Sequence, residues 1–441
     1  MTLALVTFAI FICLLMAGLW APFAISLSAM LYIFAQGGFT QGGWEELGSI
    51  GFVGWGGMNS FTLTAVPLFI LMAEVLMRSG VATRVYRGLS RIVVRLPGGL
   101  LQTNIAGCAV FSAISGSSVA TAAAIGTVAV PQLISRGYSP RLAAGSLAAG
   151  GTLGILIPPS IAMIIYGTFT DVSVSKLFFA GLVPGLVLTG LFMVYIAIRV
   201  RLNPTLAPDA GSVSAGADAA APVAGGILAD ILPFAVLIAV TLGLLYTGIV
   251  TPTEAAAVGA AMSIAVGAIW GDLPFAMLRE ALRNTVRTSA ALMFIVFAAF
   301  LFSYAIGIDG IGHVIAEWIT AQDLSRAGLL IAIVVMFLVL GCLVDSIGMM
   351  VITIPLLHPL LLAYDIDLLW FGVILVLMIE VGQLTPPLGI NLFVIQGIWP
   401  GRLEDVIRGT IPFFFLILLM VGIMCLFPEL ATWFPGYMSG Q

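Results

Sequence analysis

The chain of 441 residues is 61% hydrophobic and only 8% charged, with a net charge of −4 and a mean hydropathy of +1.18. This composition excludes a soluble domain and indicates an all-α polytopic membrane protein. The apolar stretches have helical length, which excludes the alternating strands of a membrane barrel. The four cysteines lie far apart in apolar stretches and are predicted to be small core side chains.

The chain opens with three predicted membrane spans and a surface helix. The spans are Leu3–Leu19, Pro22–Phe34 and Phe61–Met77, with a Gly-rich interfacial stretch at 36–60. The first 30 residues lack a basic region followed by a cleavage site, so no removable signal is predicted. Within Val81–Leu96, arginines recur every three or four residues, which predicts an amphipathic helix at the membrane surface.

The next apolar stretch, at about residues 98–135, is divided by the sequence Ser115-Gly116-Ser117-Ser118. Each half is shorter than the roughly 20 residues that a helix needs to cross a bilayer. We therefore predict a re-entrant hairpin whose tip lies near the middle of the membrane.

Helix-breaking residues also interrupt the following apolar segment, 142–168. Gly150 and Gly154 precede the pair Pro158-Pro159. Neither proline has an N–H, and each ring pushes the preceding residue out of the helical region. Backbone carbonyls freed at mid-depth are tolerated where they line a wet cavity, so we predict a broken transport helix. If this break is considered alone, the alternative is a proline kink that has no role in transport.

The same interruption occurs a second time. Gly382 and Pro386 follow Gly154 and Pro158 at one offset of 228 residues, and each proline begins a Pro-Pro pair. Paired interruptions in corresponding places of two halves are the best sequence pointer to a transporter's binding site. We therefore predict that the two breaks form the functional centre.

The offset divides the chain into a first repeat (1–200), a linker (201–226) and a second repeat (227–441). The linker is rich in Ala, Gly, Ser, Pro and Asp, which predicts a flexible cytoplasmic segment. The first repeat ends with the span Leu177–Ile198. The second repeat is predicted to contain a surface helix at Leu273–Arg287, a hairpin at about 327–362 broken at Val344-Asp345-Ser346, a broken helix at 368–398 and a last span at Ile411–Phe427.

About five spans and one hairpin per repeat would give the two repeats opposite orientations in the membrane. The basic residues favour this arrangement. With the linker in the cytoplasm, all of the 16 Lys and Arg residues except Lys176 and Arg326 lie on or near the cytoplasmic side. The positive-inside rule then predicts an outside N-terminus and an inverted structural repeat.

Hydroxyls and bare carbonyls are concentrated at the hairpin tips and helix breaks. Such hard oxygen ligands suit Na⁺ and suit transition metals poorly, although close packing of small residues would also explain the glycines. The predicted Na⁺ ligands are Ser115, Gly116, Ser118, Gly150, Gly154, Asp345, Ser346, Gly382 and Thr385. The predicted substrate-binding residues are Ser115, Ser117, Ser118, Thr152, Pro158, Ser346, Thr385 and Pro386.

Asp345 and Glu380 are ionisable groups deep in predicted membrane segments. A charge there costs at least about 2.5 kcal/mol on insertion scales, so each is a candidate cation ligand or ion-pair partner. A protonated carboxyl in a structural hydrogen bond is the alternative for both. Glu74 is predicted to pair with Arg78 four residues later. Glu254 is predicted to lie in the first turn of a helix. Both carboxylates are therefore predicted to have structural roles.

Four motifs together resemble the large membrane subunit of TRAP (tripartite ATP-independent periplasmic) transporters, the DctM-like permeases. The similarity runs along nearly the whole chain. The motifs are SGSSVAT at 115–121, AAGGTLGILIPPS at 148–160, TPTEAAA at 251–257 and EVGQLTPPLGINL at 380–392.

The resemblance implies a Na⁺-driven elevator-type permease that imports an organic acid anion, for example a C4-dicarboxylate, across the bacterial inner membrane. It also implies a small four-helix membrane subunit, expected as a separate chain, and a periplasmic substrate-binding protein. Na⁺ is expected as the coupling ion, with no other cofactor and no nucleic-acid partner. The substrate carboxylate would be held by helix N-termini and hydroxyls, because no arginine is predicted at mid-depth.

Three other functions compete with this interpretation. The nearest is a Na⁺/dicarboxylate or citrate transporter of similar hairpin architecture that needs no binding protein. An intramembrane enzyme would use Asp345 and Glu380, but no G-x4-G-K-[ST], H-E-x-x-H or G-x-S-x-G motif is present, so we predict no enzyme activity. A structural scaffold would leave the paired breaks unexplained.

Overall fold

The computed structural model describes residues 2–37, 41–208, 226–342 and 344–438, and every regular element in these ranges is a helix. The apolar runs form the helices, and Gly, Pro, Ser, Thr or Asp stand at most of their ends. The first ten helices are α1 (Thr2–Met16), α2 (Ala21–Gly37), α3 (Gln41–Met58), α4 (Ala65–Arg78), α5 (Val81–Val93), α6 (Leu100–Ser115), α7 (Ser118–Ser135), α8 (Pro140–Leu156), α9 (Ile161–Thr170) and α10 (Val174–Leu202).

The second half follows a similar order, with one exception. Its helices are α11 (Gly226–Tyr246), α12 (Pro252–Trp270), α13 (Phe275–Ile308), α14 (Ile311–Thr320), α15 (Arg326–Gly341), α16 (Ser346–Ala363), α17 (Leu368–Gln383), α18 (Ile390–Ile398), α19 (Leu403–Leu426) and α20 (Glu429–Met438). The exception is that one long helix, α13, stands where the first half has α3 and α4. Short 3₁₀ helices lie at Phe61–Thr64 and Pro204–Leu206.

The membrane class predicted from composition is confirmed. Among the described residues, nine helical segments are long and apolar enough to cross a membrane. The hairpin at 98–135 consists of α6 and α7, and the one at 327–362 consists of α15 and α16. The interrupted helix at 142–168 consists of α8 and α9, and the one at 368–398 consists of α17 and α18.

Helix α8 lies at the centre of one packing unit. Every residue from Leu142 to Leu156 is buried, and the helix packs against α6, α7 and α19. Glycines make this close packing possible, because a Cβ at Gly145 would collide with the backbone of Gly409 on α19. The hairpin α6–α7 is thereby fixed against the first broken helix.

A second packing unit is built around α4. This helix packs against α12 and α13, and α13 also packs against α2. The short amphipathic helices lie between the second unit and the hairpins: α5 contacts both α4 and α6, and α14 contacts both α13 and α16. Each hairpin is therefore flanked by a surface helix that precedes it in the chain.

Ion pairs join helices of the second unit. Arg78 Nε donates to Glu74 Oε2 at 2.9 Å, which confirms the predicted pair, and Arg78 Nη1 lies 3.0 Å from Glu280 Oε2 on α13. Buried Asp230 on α11 lies 3.8 Å from Arg91 on α5. The prediction for Glu254 is also confirmed, because it forms a capping box with Thr251 at the start of α12.

The prediction of a separate surface helix at Leu273–Arg287 is wrong. Helix α13 runs without interruption for 34 residues from Phe275 to Ile308. The charged stripe ends at Arg287, but no Gly or Pro follows it to end the helix. In the first half, the equivalent region is divided into α3 and α4, and α3 forms in the stretch 36–60 that was predicted only as interfacial. The prediction of a linker at 201–226 falls largely on residues 209–225, which lie outside the described residues.

Candidate functional site

A cavity of about 440 Å³ lies between the helices α4 and α13 on one side and the tips of both hairpins on the other. One wall belongs to α4 and α13, including Glu74 and Thr288. The opposite wall contains both hairpin tips, Ser115–Ser118 of the first and Asp345–Ile347 of the second. Gln383, at the end of α17, completes this wall. The fold therefore brings the two interrupted regions together at one cavity.

Four helix N-termini meet at this cavity. The first residues of α7, α9, α16 and α18 all line it, namely Ser118, Ile161, Ser346 and Ile390. A helix N-terminus carries a partial positive charge and N–H groups without intrahelical partners. Each hairpin and each broken helix contributes one of the four, because each resumes its helix after a break. These N-termini favour an anion in the cavity, although no Lys or Arg is among its described lining residues. Of the two carboxylates in the lining, Glu74 is paired with Arg78 and Asp345 is the N-cap of α16.

The first hairpin tip is held by short polar contacts. Ser115 Oγ lies 2.5 Å from Thr121 Oγ1, and the Ile161 N–H donates to Gly116 O at 3.2 Å. Gly116 has a φ of +58°, which glycine adopts at little cost. A Cβ at Gly154 would lie 2.5 Å from Ser117 O. The tip and the first helix break are thus in direct backbone contact.

The second hairpin tip is capped by a carboxylate. Asp345 is the N-cap of α16, and its Oδ2 accepts the Gly348 N–H at 3.3 Å. The other helix of this hairpin approaches the second break closely, since a Cβ at Gly341 would lie 2.5 Å from the Cα of Gly382. Thr385, beyond Gly382, donates its hydroxyl to Val381 O at 2.7 Å.

The structure brings some of the predicted site residues to the cavity and not others. Those that line it are Ser115, Gly116, Ser117, Ser118, Asp345 and Ser346. Those outside its lining are Gly150, Thr152, Gly154, Pro158, Gly382, Thr385 and Pro386. Among these, Gly154 and Gly382 instead provide the close helix contacts described above, and the Thr152 hydroxyl donates to Ala149 O within its own helix at 2.6 Å.

Three polar lining residues are not among the predicted site residues, namely Glu74, Thr288 and Gln383. The sequence predicts Glu74 only as the partner of Arg78. Gln383 follows Gly382, and the sequence signal for it is a polar amide within a mostly apolar helix. In the structure, its Oε1 has no hydrogen-bond partner among the described residues. Thr288 lies within α13, where nothing in the local pattern distinguishes it. Glu380, which the sequence predicts as a cation ligand or ion-pair partner, lies behind the cavity wall, where Ser118 Oγ donates to its Oε1 at 2.9 Å.

The family model described as "Tripartite ATP-independent periplasmic transporter, DctM component" matches residues 1–430. The chain belongs to this family. It is 34% identical over 380 residues to the C4-dicarboxylate TRAP transporter large permease protein DctM of Pseudomonas aeruginosa, with 86% of this chain and 87% of that protein covered. It is 33% identical to the protein of the same name from Vibrio cholerae, with 95% of each covered.

Solved structures support the fold of this TRAP permease. The chain resembles a structure titled "Structure and Function of Neisseria gonorrhoeae MtrF Illuminates a Class of Antimetabolite Efflux Pumps", with a TM-score of 0.63 and 14% identity. That match covers 92% of this chain and 94% of the other. The family and the apolar helices together make the protein a multi-pass protein of the bacterial inner membrane. The family match also favours the TRAP interpretation over a transporter that needs no binding protein.

Proposed function

We propose that this TRAP large permease imports an organic acid anion in symport with Na⁺. The observation that carries the proposal is the convergence of four helix N-termini on one cavity between the hairpin tips. Helix N-termini stabilise carboxylates without a fixed positive charge. A site of this kind can bind an anion and release it again, because the described lining residues include no Arg that would hold it.

The substrate class follows from this chemistry and from the relatives. A carboxylate of a small organic acid fits the N-termini, and the hydroxyls of Ser117 and Ser346, which line the cavity, can donate to its other oxygens. The relatives described above are named for C4-dicarboxylates, which makes a C4-dicarboxylate the first substrate to test. Other relatives are named for isethionate in Oleidesulfovibrio alaskensis and for ectoine in Halomonas elongata, so a sulfonate and a zwitterion are the next candidates.

Na⁺ fits the donor set at the tips and breaks. The donors are hydroxyl, carbonyl and carboxylate oxygens, which suit a hard cation, and among the described residues no cluster of His, Cys, Asp and Glu could hold a transition metal. Buried Gln383 Oε1 and Asn391 Oδ1 beside the second break have no hydrogen-bond partner in the described part of the chain. We assign one cation to the region of Ser115, Gly116, Ser118, Gly150 and Gly154, and a second to Asp345, Ser346, Gly382 and Thr385.

The transport movement that we propose is an elevator. The hairpins and broken helices would move together against a static frame that contains α4 and α13, with the two repeats inverted in the membrane. A periplasmic binding protein would deliver the substrate, and a small four-helix membrane subunit would complete the complex. The sequence match to TRAP permeases supports both partners.

Na⁺ dependence is the decisive test. Importing a dianion against a membrane potential of 100 mV costs about 4.6 kcal/mol, which two Na⁺ would offset while adding the energy of their own gradient. Proteoliposomes with the complete three-component system should take up labelled C4-dicarboxylate only with Na⁺ outside, and internal ATP should add nothing. Undiminished uptake with K⁺ in place of Na⁺ would refute the coupling.

A further inference from the structure

Glu380 is completely buried and pairs with no cation. It lies in the last turn of α17, three residues before the helix ends, and none of the described Lys or Arg side chains forms an ion pair with it. Its Oε1 accepts the Ser118 hydroxyl at 2.9 Å, and the carboxyl also faces the backbone N–H of Ile155 on α8. Burying a carboxyl is costly, and a well-packed apolar side chain would usually serve stability as well or better. Packing alone therefore does not explain a carboxyl here.

The residue that Glu380 holds is part of the cavity wall. Ser118 is the first residue of α7, lines the cavity and lies 3.4 Å, through its Oγ, from Thr152 O at the first helix break. Glu380 itself is absent from the lining, but Gln383, three residues later on the same helix, lines the cavity. Residues three apart lie on the same face of a helix. One face of α17 thus contacts both the first hairpin tip and the cavity.

We propose that Glu380 is a positioning residue for the first Na⁺ site. Its carboxyl fixes the Ser118 hydroxyl and the first turn of α7, and it does so from the other half of the chain, 262 residues away. The role requires a hydrogen-bond acceptor at this point and not a negative charge. This inference rests on the Na⁺ coupling proposed above.

The test measures Na⁺ binding by the full-length purified permease, through its thermal stabilisation in NaCl titrated against KCl. A misplaced Ser118 hydroxyl raises the Na⁺ concentration at half-maximal stabilisation, whereas a purely structural defect lowers the melting temperature in KCl and leaves that midpoint unchanged. We expect Glu380→Leu to raise the midpoint about tenfold, the effect of losing one buried hydrogen bond to the Ser118 hydroxyl. Glu380→Gln, which keeps the acceptor, should remain within about twofold of the wild type.

Ser118→Ala provides the second arm, and Ser112→Ala is its matched control. Ser112 is buried in the same hairpin, but its hydroxyl donates to Cys108 O within α6. The double variant Ser118→Ala/Glu380→Leu should raise the midpoint no more than Ser118→Ala alone, because both remove one contact. Should Glu380→Leu not fold, Glu380→Met replaces it as an apolar side chain of closer shape.

Three outcomes would overturn the proposal. If Glu380→Gln is as impaired as Glu380→Leu, the charge matters and the carboxylate acts as a ligand. If the fold-changes of Ser118→Ala and Glu380→Leu multiply, the two residues act separately. If the midpoint in Glu380→Leu equals that of the wild type, the carboxyl is structural. Absence of any Na⁺ stabilisation in the wild type would instead refute the Na⁺ site itself, and with it this inference.

Discussion

Asp345 combines two roles that a single substitution can separate. Its carboxylate caps α16 through the Gly348 N–H, and its side chain lines the cavity beside Ser346. Asparagine caps a helix about as well as aspartate but has no charge to offer a cation. We therefore expect Asp345→Asn to fold normally and to raise the Na⁺ concentration for half-maximal uptake about tenfold, the loss of roughly one charge-assisted contact.

Asp367→Asn is the matched control for this experiment. Asp367 is also an N-cap, of α17, where its Oδ1 accepts the N–H groups of Leu369 and Trp370. It does not line the cavity, so its replacement should leave the Na⁺ dependence of uptake at the wild-type value. Equal Na⁺ dependence in the wild type and Asp345→Asn would show that the Asp345 carboxylate is only a cap.

At the residue scale, local contacts were predictable and distant ones were not. The Glu74–Arg78 pair follows from a spacing of four on one helix. Its third member, Glu280, joins only when α4 and α13 pack together. Likewise, the sequence singles out Glu380 as a buried carboxyl, but it does not indicate Ser118 as its partner. Helix packing decides such contacts, and one sequence contains no direct measure of it.

At the element scale, the helix breaks could be predicted from the sequence because Gly and Pro change the backbone conformation of the residues next to them. The halves of each broken helix and of the first hairpin follow directly from such residues. The second hairpin is broken at Asp345, which is the N-cap of α16. The surface helix Leu273–Arg287 was misjudged because only its charge pattern changes at Arg287, and a change in charge does not end a helix. The presence of α20 also went unnoticed, since Glu429–Met438 is short and contains Pro435.

The contact between α7 and α8 provides a test of element packing. A Cβ at Gly154 would lie 2.5 Å from the backbone oxygen of Ser117, and a backbone atom cannot move aside as a flexible side chain can. Gly154→Ala should therefore displace the first hairpin tip, destabilise the protein by about 1–3 kcal/mol and abolish most uptake.

Gly190→Ala on α10 is the corresponding control. No heavy atom lies within 4 Å of a Cβ placed there, and alanine is a better helix former than glycine by up to about 1 kcal/mol. Its melting temperature should equal or exceed that of the wild type, with unchanged uptake. Melting curves and Na⁺-dependent uptake are measured for both variants, and wild-type behaviour of Gly154→Ala would contradict the close contact.

At the scale of the whole molecule, the distribution of charge matches the proposed division into frame and mobile unit. The arginine-rich N-terminal part of α13 and the ion-paired Arg78 belong to the helices around α4. Moving such charges into the hydrocarbon would cost several kcal/mol each. The two hairpin tips and helix breaks contain mainly hydroxyls and glycines, with Asp345 and Glu380 as their ionisable groups. The unit made of the hairpins and broken helices is therefore the one suited to move across the membrane.

The side on which the cavity opens can be inferred from the same charges. Its frame wall extends to Met77 and Thr288, whose chain neighbours Arg78 and Arg287 belong on the cytoplasmic side by the positive-inside rule. We therefore expect this conformation to face the cytoplasm. A cysteine at Ser117, introduced after replacement of the four native cysteines, should then react with a bulky membrane-impermeant thiol reagent added from the cytoplasmic side.

Na⁺ together with the substrate-loaded binding protein should reverse this accessibility. In the outward-facing state, Ser117→Cys should be protected from the cytoplasmic reagent, and Ser346→Cys, at the other hairpin tip, should react from the periplasm. A cysteine at Arg279, which is exposed on the frame helix α13, serves as the control and should react from the cytoplasmic side under every condition. The elevator movement is excluded if both tip positions are labelled from the same side in every state, because a unit that carries both tips across the membrane must change the side on which they are exposed.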